Sequence, residues 1–256
     1  MVNSDRRDRG DGGIKLEEPQ ISWVSVEPGS VMVGSDDRTI LFGGMGPRHE
    51  VSIGYSFRIS EQPVDYEKAI LLVKENDMEL VSDSEWQLAY SRGLIHGDEG
   101  SSEFLADSTQ NYWGKPCDGR PLVKGRHSPN VIRRWKSGNA KTLTSFPKDK
   151  GSEFEGRIRL VVRDHSEWPV GPLTIPEFGN NSNILIEEIL ICMVVGIIPS
   201  FVWAYFNASP GYLRDGWLNL VLGGVFFGIF TVLFWRPKQP SWYIESGRLI
   251  QRKEKK

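Results

Sequence analysis

The sequence predicts an α+β soluble domain followed by two transmembrane helices that form a hairpin. Three observations support this prediction. Residues 189–206 and 217–235 are uncharged apolar runs of 18 and 19 residues, which is close to the length that crosses a bilayer. Short segments with alternating apolar and polar residues precede these runs and are typical of strands. Two stretches with apolar residues at helical spacing interrupt those strands.

Charge is distributed unevenly along the 256 residues. Residues 236–256 carry seven Lys or Arg against two acidic residues, although the whole chain has a formal net charge of −2. The part before residue 236 is therefore net acidic, and we expect no nucleic-acid partner. Residues 1–18 are charged and lack an apolar core, so we expect a disordered leader rather than a secretory signal.

The soluble domain is predicted to occupy residues 19–165. Alternation over residues 21–35, with a turn at Pro28-Gly29, indicates two strands. A helix is expected over residues 64–76, because Asp65 can cap it and apolar residues recur at helical spacing. The strand pattern returns at residues 156–163.

Residues 80–93, LVSDSEWQLAYSRG, predict a second helix with a defined start and end. Ser82 and Glu85 have the spacing of a capping box, in which each side chain accepts a hydrogen bond from the other residue's backbone. Gly93 can adopt the left-handed conformation that ends a helix. Three residues form the predicted inward face: Trp86, Ala89 and Tyr90.

The membrane segment is predicted over residues 187–235, after a linker at 166–186. Only residues 207–216 join the two spans, about 189–206 and 217–235, so the spans must be antiparallel. The alternative is a pair of buried core helices. The aromatic residues at the ends of the runs favour membrane spans over this alternative, because such residues are enriched at membrane interfaces. In residues 236–256, the basic tail, alternation around Ser246-Gly247 indicates a small β-hairpin.

The charges that flank the spans predict their orientation. The connecting loop has one cation, Arg214, and the tail has seven. The positive-inside rule then places both termini in the cytoplasm of a two-pass protein of the cell membrane. Gly224 and Gly228 have the spacing that permits close helix packing, either against Gly196 of the first span or in a dimer.

Seven segments of the soluble domain follow an order that is seen in a known family. A Pro-x-His-x-Val strand is matched by Pro47, His49 and Val51, and a Leu-Pro-Thr-Glu-Ala-Glu-Trp helix is similar to residues 80–86. The remaining segments are residues 33–35, 57–65, 111–113, 131–133 and 156–161. In this order the chain resembles the formylglycine-generating enzyme family, also called the sulfatase-modifying-factor domain. The resemblance implies a C-type-lectin-like core.

The resemblance also bears on chemistry. The family's oxidase binds copper through two cysteines that precede the closing strand, but residues 135–156 contain no cysteine. We therefore expect no cofactor and no copper, with a weakened calcium site as the alternative, and a binding or assembly module without catalysis. The alternative is an enzyme of altered chemistry, with Cys117 as nucleophile or metal ligand. Asp118 is the acidic residue that remains near the family's calcium position, where Gly114 replaces an acid.

A ligand-binding surface is predicted from a mixture of aromatic, basic and acidic residues. Trp and Arg dominate binding hot spots, although the two tryptophans can equally be core residues. The predicted ligand-binding residues are Trp113, Asp118, Arg133, Arg134 and Trp135. The expected partners are the lipid bilayer and a protein, which is either a different chain or a second copy.

Overall fold

The structure, a computed structural model, confirms the α+β class. It describes residues 21–36, 45–75, 77–125, 127–136, 138–145, 156–163, 168, 170–179, 181–235 and 239–252. The predicted leader, residues 1–18, lies outside this part of the chain.

The strands form three sheets within the described residues. The first has the order β1 (Trp23–Val26), β4 (Phe57–Ser60), β11 (Leu160–Arg163) and β6 (Glu79–Leu80), with antiparallel neighbours throughout. The second has the order β5 (Val64–Asp65), β10 (Arg157–Ile158), β7 (Ser102–Ser108), β8 (Asn130–Lys136) and β9 (Asn139–Ser145). The third has the order β13 (Arg248–Arg252), β12 (Ser241–Glu245), β3 (His49–Ile53) and β2 (Gly29–Val33). Two of the pairings are parallel, β10 with β7 and β12 with β3.

Two helices pack against these sheets. Helix α1 (Tyr66–Glu75) begins after Val64 and Asp65, because those residues pair with β10 as a short strand. Helix α2 (Asp83–Ser91) has the predicted capping box: Ser82 Oγ accepts a hydrogen bond from Glu85 N (3.2 Å), and Glu85 Oε2 accepts one from Ser82 N (3.0 Å). The left-handed end is also confirmed, since Gly93 has a φ of 69°.

The inward face of α2 anchors the main core. Trp86 and Ala89 are fully buried, and Tyr90 is half-buried. The rings of Trp86 and Tyr90 stack with centroids 5.2 Å apart, and Trp135 from β8 lies 5.5 Å from Trp86. The family-like strand residue Val51 belongs to the same core. Aromatic burial of this kind is a large favourable contribution to folding.

A continuous helical stretch follows the soluble part. It consists of α3 (Asn181–Ile191), a π-helical segment (Cys192–Ile197) and α4 (Ile198–Asn207). Within it, Leu185–Asn207 is long and apolar enough to cross a membrane, with a mean hydropathy of 2.3 and 11% of its most apolar window buried. The short α5 (Pro210–Asp215) leads to α6 (Trp217–Trp235). Side chains of α6 are described as far as Thr231, and this apolar part, Trp217–Thr231, is shorter than a full membrane span. The second crossing therefore stays a prediction.

The chain returns to the soluble part after α6. Strands β12 and β13 form the predicted hairpin, with Ser246 and Gly247 in its turn at φ values of 49° and 73°. Strand β12 also pairs with β3, since Trp242 lies opposite His49 and Trp242 N donates to Arg48 O (2.9 Å). Residues 241–252 are thus part of a sheet that the N-terminal half begins.

The segment before α3 also contacts the soluble part. Cys117 N donates to Leu173 O (2.7 Å), Ile175 N donates to Lys115 O (2.9 Å), and Gly114 N donates to Pro176 O (2.9 Å). Residues 173–176, which fall in the predicted linker, therefore lie against residues 114–117. The predicted domain boundaries stay predictions.

Candidate functional site

Glu103 is the centre of a buried hydrogen-bond cluster. Trp86 Nε1 donates to its Oε2 (2.7 Å), and Trp135 Nε1 donates to its Oε1 (2.9 Å). Arg159 adds two bonds, from Nε to Oε2 (2.7 Å) and from Nη2 to Oε1 (2.9 Å). Because donors occupy both oxygens, this carboxylate is a structural group that orients two core tryptophans. Gly97 completes the site, since a Cβ at this position would overlap the Trp135 ring.

A second cluster surrounds Asp83 at the start of α2. Arg133 Nε and Tyr112 Oη both donate to its carboxylate at 2.6 Å, and the Arg133 guanidinium lies 4.9 Å from the centre of the Trp86 ring. Asp83 N donates to Asp107 Oδ2 (2.7 Å), and the other Asp107 oxygen pairs with Lys115 Nζ (2.5 Å). These groups are all at least nine-tenths buried.

A third cluster joins α2 to β11. Arg163 donates to both oxygens of Glu85 at 2.8 Å, and Tyr55 Oη donates to Glu85 Oε1 at the same distance. Burial and the neighbouring Glu85 carboxylate raise the pKa of Tyr55 far above its ordinary value. The phenol therefore stays protonated and acts as a donor. The start of α2 is thus tied to β8 and β11 by buried charge pairs, and to Tyr55 by a hydrogen bond.

The predicted ligand-binding residues do not share one surface. Arg133 and Trp135 point into the core clusters, whereas Arg134 is exposed on the opposite face of the same strand. Asp118 is buried and pairs with Arg120 (2.7 Å). Trp113 is half-buried, and its ring packs against the backbone of Gly179 just before α3.

Cys117 is poorly placed to act as a nucleophile. Its side chain is buried, and burial is the main reason why its pKa is raised to about 12. At neutral pH the group is therefore the thiol, which is much less nucleophilic than the thiolate.

No group of three or more metal-ligating side chains lies together among the described residues. The Asp118 carboxylate is engaged by Arg120, so it offers little to a calcium ion. The expectations about copper, calcium and other cofactors stay predictions.

The two apolar helical stretches pack through small residues. A Cβ at Gly196 would overlap the carbonyl oxygen of Gly224, and a Cβ at Gly224 would lie 2.7 Å from Ile197 Cα. A Cβ at Gly228 would lie 2.8 Å from Cys192 Sγ. Gly224 and Gly228 therefore face the first apolar stretch within one chain, which favours the intramolecular alternative for these glycines.

A polar contact accompanies this packing. Ser200 Oγ lies 2.8 Å from Ile197 O and 3.0 Å from Leu220 O, so the hydroxyl can bond within its own helix or across to α6. Hydrogen bonds between helices add modest stability in an apolar environment.

The outward faces of these helices form an extended apolar surface. Among the described residues, nearly all exposed large apolar side chains fall within residues 178–230. The exceptions are Leu71, Val123, Val170 and Ile250. An apolar surface of this extent is typical of contact with lipid or with another protein.

Comparison with known proteins gives one structural similarity. No family model and no curated protein matches the sequence. The chain is similar to the structure of PvdO from Pseudomonas aeruginosa, with a TM-score of 0.40 and 16% sequence identity. The match covers 56% of this chain and 94% of that chain.

Sequence reasoning missed the buried charges, above all Asp83, Glu103 and Arg159. Acidic and basic residues are normally exposed, so composition gives no reason to place them in a core. The weak signal that was available lies in β8, where alternation puts Arg133 on the same face as Val131 and Trp135.

Proposed function

We propose that this chain is a membrane-anchored, formylglycine-generating-enzyme-like domain that acts as a binding or assembly module at the cytoplasmic face of the cell membrane. The observation that carries the proposal is the exposed apolar surface of residues 178–230. The contact of such a surface with water is energetically unfavourable. A bilayer removes that surface from water without requiring any further protein contact.

The path of the chain supports an even number of crossings. Residues 241–245 pair with β3, so the chain must return to the side on which the N-terminal half lies. The two apolar stretches, with the short α5 between them, provide one way out and one way back. The basic tail supports a cytoplasmic location for that side.

The proposal of binding rather than catalysis is supported by the cysteines. Residues 135–156 lack the pair of sulfur ligands that a Cu(I) site needs. The alternative enzyme would require a reactive Cys117, and its raised pKa and burial give that alternative no support. The resemblance of seven ordered segments, including the capped helix with its buried Trp86, supports the scaffold part of the proposal.

Membrane fractionation tests the anchor. Val194→Lys combined with Phe227→Lys puts charge on two exposed apolar positions of the helices, and we expect the variant to be extracted by high-pH carbonate. Leu71→Lys is the matched control, because Leu71 is equally apolar and exposed but lies on α1. The anchor proposal is wrong if the wild-type chain is itself extracted without detergent.

A copper assay on the detergent-solubilised full chain tests the non-catalytic assignment. We expect no stoichiometric Cu(I) binding and no oxygen-dependent oxidation of a peptide cysteine above the level of Cys117→Ala. Stoichiometric binding with turnover would end the assignment.

A further inference from the structure

A surface cleft of about 430 Å³ lies between the end of β7 and the start of β8. Its walls provide amide, hydroxyl, imidazole and ammonium groups. The lining residues include Thr109, Gln110, Asn111, Lys124, His127 and Ser128. No carboxylate is among the groups that line it, so the cleft suits an anion better than a cation.

Lys124 supplies the charge of this cleft. Its Nζ donates to Asn111 Oδ1 (3.2 Å), and its backbone N donates to Ser108 O (3.0 Å), which holds the residue at the rim. Partial burial lowers the pKa of Lys124, and Glu177 opposes that effect. Lys124 is exposed, so its ammonium group is accessible to an anion at the rim of the cleft.

The loop that carries Lys124 is basic. From Arg120 to Pro129 the sequence contains no acidic residue. The exposed His127 also lines the cleft. Glu177 is the carboxylate that acts on Lys124 from the neighbouring segment.

The cleft lies next to the point where the chain enters the apolar helices. Asn111 Oδ1, which binds Lys124, also accepts a hydrogen bond from Trp113 N (3.2 Å). The Trp113 ring packs against Gly179, two positions before α3 begins. Phe178 beside it is 85% exposed, as expected of an aromatic residue at a membrane interface.

We propose that this cleft binds the phosphate of an anionic lipid headgroup. The inference rests on the proposed membrane anchoring, which brings headgroups within reach of a loop that adjoins residues 177–179. Lysine binds phosphate as a compact charge, and amide and hydroxyl groups complete the hydrogen bonds of its oxygens. The soluble domain would thereby be held in one orientation on an anionic leaflet.

The test uses the full chain in nanodiscs of phosphatidylcholine that contain a minor fraction of phosphatidylglycerol. Native mass spectrometry measures how much phosphatidylglycerol stays bound. We expect Lys124→Gln to weaken this retention about fivefold, which corresponds to one lysine near an anionic surface. Lys141→Gln, at an exposed position of β9, is the matched control and should bind like the wild type.

The outcomes separate the two proposals. If Lys124→Gln stays in the disc and binds phosphatidylglycerol as tightly as Lys141→Gln, the anchor stands and the lipid site is overturned. If inorganic phosphate displaces phosphatidylglycerol at an equal concentration, the ligand is free phosphate and the lipid assignment is wrong. If the wild-type chain does not remain in the disc at all, the membrane anchoring itself fails.

Discussion

At the scale of single residues, the soluble domain is distinguished by carboxylates that are buried with their partners. Glu103, Asp83 and Glu85 each face an arginine and at least one aromatic donor. A buried ion pair costs much desolvation, so it persists only where hydrogen bonds are complete. Each cluster therefore defines one arrangement of α2 against the strands, because other arrangements would leave a charge unpaired.

Glu103→Gln tests the strength of this coupling. The amide would leave the Arg159 guanidinium buried without its counter-charge, so we expect the free energy of unfolding to fall by about 3–5 kcal/mol. Denaturant unfolding of the full chain in detergent, followed by tryptophan fluorescence, measures the change.

Asp98→Asn is the control for that experiment. Its carboxylate is 83% exposed and pairs with Arg157 at 3.3 Å, so its loss should cost less than about 1 kcal/mol. Equal losses in the two variants would contradict the role assigned to the Glu103 cluster.

His49 makes a prediction about pH. Burial lowers its pKa from 6.5 to about 4, and its Nδ1 lies 2.8 Å from Pro47 O, which fits a neutral ring that donates from Nδ1. The unfolded chain takes up this proton below about pH 6.5 and the folded chain does not. Stability should therefore fall as the pH drops from 6.5 towards 4, by up to about 3 kcal/mol from this residue.

The pH dependence can be separated from other titrations by comparing slopes. His49→Asn should flatten the plot of unfolding free energy against pH between 4 and 6.5, whatever its effect on absolute stability. His96→Asn is the matched control, because it removes an imidazole from an exposed position. A wild-type slope in His49→Asn would show that this ring does not remain neutral in the fold.

At the scale of elements, the first apolar stretch contains a π-helical segment for a physical reason. Pro199 has no backbone N–H, and its ring would collide with the carbonyl four residues earlier in a regular α-helix. The segment Cys192–Ile197 widens the helix just before Pro199, and Ile198 N donates to Met193 O five positions back. This local change lies where Gly196 meets Gly224.

Gly228→Cys provides a measure of this helix packing. A Cβ at residue 228 would lie 2.9 Å from Cys192 Cα and 3.1 Å from Cys192 Cβ, closer than in typical disulfides, so the two helices must move apart slightly before an oxidant can form the bond. Adding Gly224→Leu should reduce disulfide formation strongly, because the side chain would collide with Ile197. Non-reducing mass spectrometry of the digested chain measures the bond.

Gly223→Leu is the matched control for this pair, since a Cβ at that position meets nothing within 4 Å. Its disulfide should form as in Gly228→Cys alone. If Gly224→Leu has no greater effect than Gly223→Leu, the helices do not pack as described.

At the scale of the whole molecule, the C-terminal hairpin links both ends of the apolar helices to one soluble part. Strand β12 joins β3, and Ile244 N adds a hydrogen bond to Glu50 Oε2 (2.9 Å). The residues before α3 contact residues 114–117 of the same part. Two attachments restrict the tilt of this part against the apolar helices more than one would.

The proposed two-pass orientation predicts the labelling of engineered cysteines in intact cells. A membrane-impermeant maleimide should not reach Ile250→Cys and should reach Ser209→Cys, because both positions are exposed and the proposal places them on opposite sides of the membrane. Prior permeabilisation should make Ile250→Cys reactive, which controls for burial. Labelling of Ile250→Cys in intact cells would reverse the predicted orientation.

Local features could be predicted from the sequence in some detail. The capping box at Ser82, the left-handed Gly93 and the hairpin turn at Ser246-Gly247 depend on residues only a few positions apart. The apolar runs depend on composition alone, although the first apolar helix begins earlier than predicted, at Leu185. The predicted ligand-binding residues could not be placed in the same way. Strand alternation puts Arg133 and Trp135 on the buried face of β8 and Arg134 on the exposed face, and residue types alone do not define which face is buried.

The sequence by itself determined where helices start and stop and which segments avoid water, because those properties arise from neighbouring side chains and the backbone they share. Only the tertiary structure decided that Arg159 meets Glu103 across 56 positions and that β12 joins β3. It also placed the loop of Lys124 beside the entrance to the apolar helices. Such contacts depend on how sheets and helices pack in space, and no local pattern encodes which distant partner will neutralise a buried charge.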